Sequence, residues 1–313
     1  MTNGECILCG SDSLRRLQDI NVSDLCATYA LWLPYDIRDE FDEIRLIKYL
    51  ECPACGLKFF SPAITGSTAF YDALSKQMGE HYYQEDKSEY RFASRFINEN
   101  DSVLDVGSGS GQFCKYVRGR YTGLDFNPRA IDLAKRGGVP VIDDSLEEHV
   151  GKLTAPYSAI TAFQVIEHVE NPKRFIQKLL EALSADGLLI LSVPSEDSYV
   201  GLMENAVLNM PPHHVTRWSN TCLRNVAKIF NLRLVAMEHE ELSPIHFDSF
   251  ISLLANKIVR ALFRWNQTGL IDVSLKKKVI DRLSVYAKPI LQKVFANDLL
   301  WPHGHSVTVA FKK

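Results

Sequence analysis

Between Val103 and Gly111 the chain runs Val-Leu-Asp-Val-Gly-Ser-Gly-Ser-Gly, a short apolar stretch carrying an acid and then glycine at every second position. An apolar strand that opens into such a turn belongs to a parallel sheet, and side chains at the glycines would block a bound group from reaching the backbone. The stretch therefore points to an α/β fold with a ligand at the carboxyl end of this strand. It predicts a nucleotide-like cofactor.

Spacing narrows the cofactor. A dinucleotide fingerprint reads G-x-G-x-x-G, whereas here the third glycine comes one residue early and Gln112 takes its expected place. Tyr121 to Asp125 reads as a second strand ending in an acid, from which a carboxylate can accept hydrogen bonds from both ribose hydroxyls. Ala159 to Val169 gives a further strand running into Glu167-His168, Pro172 opens a helix region, and Gly187 to Pro194 gives another strand.

With these separated motifs in this order, the region from about 100 to 240 resembles the class I S-adenosylmethionine-dependent methyltransferases. The resemblance is to the branch whose fourth strand runs into L-E-H-V, here Ile166-Glu167-His168-Val169, and whose fifth strand ends in S-V-P. It implies a Rossmann-like seven-stranded α/β sheet and S-adenosylmethionine as cofactor. The implied cofactor site consists of Asp105, Gly107, Gly109, Gly111, Asp125, Phe126 and Gln164. A polar residue after the third strand, Val139 to Asp143, would hold the adenine amine, with Asp144 favoured over Asp143. In the connector before the core, Tyr82 or Tyr83 would line the site. Met210 to Ser219 resembles the P-x-H loop of these enzymes.

The implied reaction places a nucleophile in line behind the methyl group of a sulfonium, so positioning supplies much of the acceleration. A hydroxyl acceptor also needs a base, and His168 is the first candidate, followed by His213 and His214. Glu167 is read as orienting a neighbour or bonding backbone amides. The Asn/Asp-Pro-Pro-aromatic motif of amino-directed nucleic-acid methyltransferases is replaced by Gln164-Val165-Ile166-Glu167. The expected acceptor is a small molecule or a glycan-type compound, methylated at oxygen. Two alternatives stay open: an RNA methyltransferase whose cysteine module binds RNA, and a catalytically silent cofactor-binding scaffold.

The cysteines carry a second signal. Cys6-x-x-Cys9-Gly10 and Cys52-x-x-Cys55-Gly56 supply four thiolates from two knuckles, a donor set suited to tetrahedral zinc. Leu46 to Leu50 and Leu57 to Phe60 flank the second knuckle as strands of a zinc ribbon would, and this module is expected to fold apart from the sheet. Joined to such a core, it also resembles certain ribosomal RNA methyltransferases and sugar C-methyltransferases. Cys26, Cys114 and Cys222 read as small buried residues.

The chain divides into a zinc-ribbon module at 1–65, a helical connector at 66–98, the cofactor-binding core at 99–244, a helical insertion at 245–300 and a last core strand at 301–313. In the insertion, Phe247, Phe250, Ile251, Leu254, Ile258, Ala261 and Leu262 recur at helical spacing. Their apolar face is expected to cover the substrate cleft or pack on the zinc module. A dimer face or a membrane surface, met by Arg260, Arg264 and Lys276 to Lys278, is the other cover. A net charge of −3 supplies no global field for nucleic acid. No apolar run is long enough to span a bilayer and the first residues lack a signal-peptide pattern, so a cytoplasmic protein is the expectation.

Overall fold

The computed structural model describes residues 4–79, 86–267 and 269–313. The smaller of its two sheets holds β1 (Arg15–Asn21), β2 (Leu46–Glu51) and β3 (Lys58–Ser61), joined as antiparallel neighbours. Along β2, Ile47 and Tyr49 are buried while Leu46 and Lys48 are exposed, the period-two pattern of a half-covered strand. The buried face meets helix α1 (Val22–Tyr29), and Leu25, Tyr29, Phe41, Phe60 and Phe70 close a local core.

Helices α2 (Thr68–Met78) and α3 (Ser88–Ser94) lead into the larger sheet. Its strands β4 (Ser102–Val106), β5 (Arg120–Leu124), β6 (Val141–Ile142), β7 (Tyr157–Phe163) and β8 (Leu183–Pro194) pair parallel with one another. Val103, Leu104, Ala159, Ile160, Leu189 and Ile190 are fully buried, because helices cover both faces and leave no polar side. After β9 (Thr216–Arg217) come β10 (Arg233–Glu241) and the antiparallel β11 (His303–Lys312), which completes the order β10-β11-β8-β7-β4-β5-β6. The strand order reverses around β4, and the crevice at that point is where open parallel sheets bind ligands.

The helix starts follow cap chemistry. Asn127 accepts from the Arg129 amide at 3.0 Å and Pro128 is the first residue of α4 (Pro128–Arg136). Asn171 likewise caps α6 (Pro172–Ala182), which follows α5 (Leu146–Gly151), and Ser219 caps α7 (Asn220–Ile229).

Two features cross the boundary at residue 65. The two-residue strand β9 pairs with β3, so the small sheet takes its fourth strand from within the core region. The cysteine knuckles also share one apolar core with the larger sheet: Leu8, Leu57 and Phe59 belong with Trp218, Leu223, Val226 and Leu179. A module folding apart from the sheet is therefore not what the packing provides. The insertion forms α8 (Phe247–Phe263) and α9 (Leu275–Val294). It reaches the N-terminal core through Leu270 and Ile271, and the Leu270 amide donates to Gln18 Oε1 at 2.7 Å.

Candidate active site

At the carboxyl edge of the large sheet lies a cavity of 2520 Å³, walled by the ends of β4, β5 and β7, by Thr28 of α1 with Leu31 and Trp32 after it, and by Ile245, His246 and Ser249 of the insertion. A single small-molecule pocket takes roughly 300–1,000 Å³, so this one has room for a cofactor and an acceptor together.

The β4 turn forms one side. Gly107 sits at φ 69°, and a Cβ there would lie 2.5 Å from Val165 Cγ2, so any side chain would strain the backbone and push Val165 aside. Gly109, at φ 56°, faces open space, and its amide donates to Asp125 Oδ2 at 2.7 Å. Asp125 Oδ1 accepts from the Asn127 amide at 2.8 Å. Each carboxylate oxygen keeps a further acceptor site. Burial pushes the Asp125 carboxyl upward, against the pull of these amides. Phe126 is 80% exposed on the same wall, a flat apolar surface open to a ring.

The other expected cofactor residues stand differently. Asp105 is buried, with Oδ1 accepting from Thr161 at 2.7 Å and Oδ2 from Tyr121 at 2.8 Å, so both oxygens are tied to the sheet. Burial raises its carboxyl to about 6 despite those two bonds. Gly111 holds φ 75° where a Cβ would strike Val139. Gln164, at φ 56°, donates to Ser192 Oγ at 3.1 Å and Ser306 Oγ at 3.2 Å and borders the cavity. Asp144 pairs with Lys152 at 2.9 Å, and neither it nor Asp143 is part of the cavity wall. Tyr82 and Tyr83 lie outside the described residues.

Opposite the glycine turn, three imidazoles meet. The ring centroid of His168 is 4.7 Å from that of His213 and 4.7 Å from that of His214, while the His213 and His214 rings stack at 4.3 Å. His168 Nδ1 is 2.6 Å from the His213 carbonyl and His213 Nδ1 is 2.9 Å from the Leu208 carbonyl. Because a carbonyl only accepts, both Nδ1 atoms carry the proton and both Nε2 atoms carry a lone pair. His214 Nδ1 meets Asn209 Oδ1 at 3.2 Å in the same sense. Burial lowers His168 to about 4 and His213 to about 3, and holds His214 well below the ordinary histidine range, so all three are neutral at neutral pH. Glu167, read as orienting a neighbour or bonding backbone amides, stands 3.9 Å from His168 Nε2. It is 1% exposed, and among the described residues neither carboxylate oxygen has a hydrogen-bond partner. Burial raises it to about 8.

Residues 78–237 match the family model described as "Methyltransferase domain", about half of the chain. The chain belongs to this methyltransferase family. Among curated relatives, a mitochondrial ubiquinone biosynthesis O-methyltransferase of Schizosaccharomyces pombe is 31% identical over 114 residues, covering 33% of this chain and 42% of the relative. The ubiquinone biosynthesis O-methyltransferase of Proteus mirabilis is 27% identical over 123 residues, covering 35% of this chain and 50% of the relative. The chain thus spans half or less of the length of each. A solved S-adenosylmethionine-dependent methyltransferase from Archaeoglobus fulgidus is 16% identical at a TM-score of 0.48, covering 78% of this chain and 100% of that one.

Several groups on the methyltransferase cavity carry no local sequence motif. Tyr71 of α2 places its hydroxyl 3.2 Å from His168 Nδ1. Glu240 Oε1 accepts from both Nδ1 and the backbone amide of His305 at 2.7 Å. Burial works to raise Glu240, but the His305 bonds outweigh it and hold the carboxyl below its usual range. Tyr71 stands far upstream in the sequence and Glu240 and His305 are joined only by strand pairing, so none could be read without the packing.

The methyltransferase also carries the four cysteines as one group. Cys6 Sγ is 3.6 Å from Cys55 Sγ, Cys9 Sγ is 3.6 Å from Cys52 Sγ, and all four sulfurs lie within 4.8 Å of one another. Sulfurs bound at about 2.3 Å to a tetrahedral zinc lie about 3.8 Å apart, so the donor set fits that ion. Without a cation the Cys6 and Cys9 thiols resist ionisation: Cys6 is raised by its bond to Cys55 and by burial, and Cys9 to about 11, mainly by burial. Asn225 Nδ2 donates to the Cys55 carbonyl at 3.2 Å, tying the second knuckle to α7.

Proposed function

We propose that the protein transfers the methyl group of S-adenosylmethionine to a hydroxyl oxygen of a small-molecule or glycan-type acceptor. The observation that carries this reading is the shared cavity, onto which the Gly109–Asp125 pair and the neutral imidazole face both open. Asp125 would hold the ribose hydroxyls and Phe126 would lie against the adenine. Bound there, S-adenosylmethionine would supply a sulfonium methyl group to the cavity that His168, His213 and His214 also line. An acceptor held between them has its oxygen in line behind the methyl carbon, and its proton leaves at the histidine face, where His168 Nε2 is the base. The O–C bond forms as the C–S bond breaks, leaving a neutral thioether. The four cysteines would hold a structural zinc. The O-methyltransferase names of the two curated relatives favour oxygen as the target.

Calorimetry with S-adenosylhomocysteine and with NAD tests the cofactor: binding of the first and not the second is expected, and the reverse overturns the assignment. Incubation of hydroxylated acceptors with methyl-labelled cofactor, followed by mass spectrometry, tests the target atom. Label found on carbon or nitrogen removes the oxygen reading.

A further inference from the structure

The histidine face has the arrangement of a ligand set. One ring nitrogen from each of His168, His213 and His214 lies within 4.8 Å of the other two. Each Nδ1 is already engaged by an oxygen, the His213 carbonyl, the Leu208 carbonyl and Asn209 Oδ1 respectively. Outer partners of this kind fix the tautomer and orientation of metal-binding histidines. They leave three Nε2 lone pairs for one occupant. At about 2.1 Å from a tetrahedral ion, ring nitrogens stand about 3.4 Å apart, so the three rings would turn and shift to bring their Nε2 atoms onto one ion.

A second observation points to a cation. The Glu167 carboxylate is buried, has no hydrogen-bond donor among the described residues, and stands 3.9 Å from His168 Nε2. A buried polar group without a partner is costly, and a positive ion beside it answers that cost. Glu167, His168, His213 and His214 all line the cavity, so the set is open on the side where the acceptor lies.

We infer that His168, His213 and His214 bind one divalent transition-metal ion through their Nε2 atoms, with Glu167 balancing its charge and an open position for the acceptor oxygen. Three imidazoles select ions of the zinc, cobalt or nickel type over magnesium, which prefers oxygen. Three protein ligands with a fourth position left open is the pattern of a catalytic site. The inference rests on the oxygen-transfer reading and changes how the proton is lost. With the ion in place the imidazoles are ligands and His168 is no longer the base. A hydroxyl held at the open position gives its proton to cavity water at lower pH, its O–H electron pair staying on the oxygen that attacks the methyl group.

The test uses the full chain, reduced and with its cysteine site first filled with zinc. Titration with cobalt(II), followed by calorimetry and visible absorption, should show one further equivalent with ligand-field bands and no thiolate charge-transfer band. His213→Ala and His214→Ala should each weaken that equivalent at least tenfold while leaving S-adenosylhomocysteine affinity and circular dichroism unchanged. Wild-type protein that takes up no further cobalt, or a further equivalent that persists in both variants, overturns the inference. Should either variant fail to fold, the wild-type spectrum still decides, because a second cobalt bound by thiolate also overturns it. Cofactor binding and label transfer are read separately, so a missing ion and a wrong methyl-transfer reading give different results.

Discussion

The four-cysteine cluster and the cavity edge of the large sheet are both dense in donor atoms, yet they are built on opposite terms. The cysteines converge from two short knuckles onto one point, face one another, and sit in apolar surroundings shared with Trp218 and Leu223. The edge gathers Asp125, Glu167 and the three histidines from separate loops and leaves groups unsatisfied or turned toward open space. The first arrangement spends its donors on holding the fold together. The second keeps donors free for something the chain itself does not supply, at a cost in stability.

The sharpest way to break that contrast is Cys52→Ser. Because the knuckles share their core with the helices on the sheet, the variant should lose metal and destabilise the whole chain, by more than about 4 kcal/mol, the range that lost metal sites reach. Thermal unfolding combined with metal analysis checks this. A core that melts at its wild-type temperature in a separate transition would make the cysteine region an independent unit after all.

Asp105 tests whether the edge costs stability. Burial raises its folded carboxyl to about 6, above the ordinary aspartate value of about 3.9. Between those two values the unfolded chain has released this proton and the folded chain still holds it, so stability contributed by this group falls as pH rises from about 4 to about 6. The loss is of order 2–3 kcal/mol. In Asp105→Asn that part of the slope should vanish from denaturant unfolding measured across this range. An unchanged slope would show that the cost arises elsewhere.

Asp125→Ala sharpens the comparison from the functional side. Removing a charge-assisted contact worth roughly 1.5–3 kcal/mol should weaken S-adenosylhomocysteine at least tenfold by calorimetry and move the melting temperature only slightly. A drop in melting temperature as large as that of Cys52→Ser would place Asp125 among the residues that hold the fold.

Legibility in the sequence divides along the same line. The knuckles are local in sequence, with the glycine that their turn needs, so spacing was enough to bring the four cysteines together. The positions of the parallel strands were legible for a related reason: they are largely apolar runs bounded by a glycine, proline or acid. Where a group's role depends on what lies across the cavity, the sequence was silent. His213 and His214 were candidates from their loop, but nothing nearby announces that the His213 carbonyl fixes the His168 tautomer. The lack of a partner for Glu167 is a property of its surroundings and leaves no trace in residue order. Strand β9, two residues long, is too short for any periodicity to mark.

That short strand bears on how the chain is made. The open side of β3 finds its partner only when Thr216 and Arg217 arrive, roughly 150 residues later. A ribosome adding about 5–20 residues per second therefore leaves Lys58 to Ser61 as a bare sheet edge for something like 8–30 s, with Phe59 and Phe60 between them. An unpaired edge of this kind is a template for pairing with other chains. Synthesis of this protein passes through a window in which Phe59 and Phe60, fully buried in the finished fold, stand on an open edge.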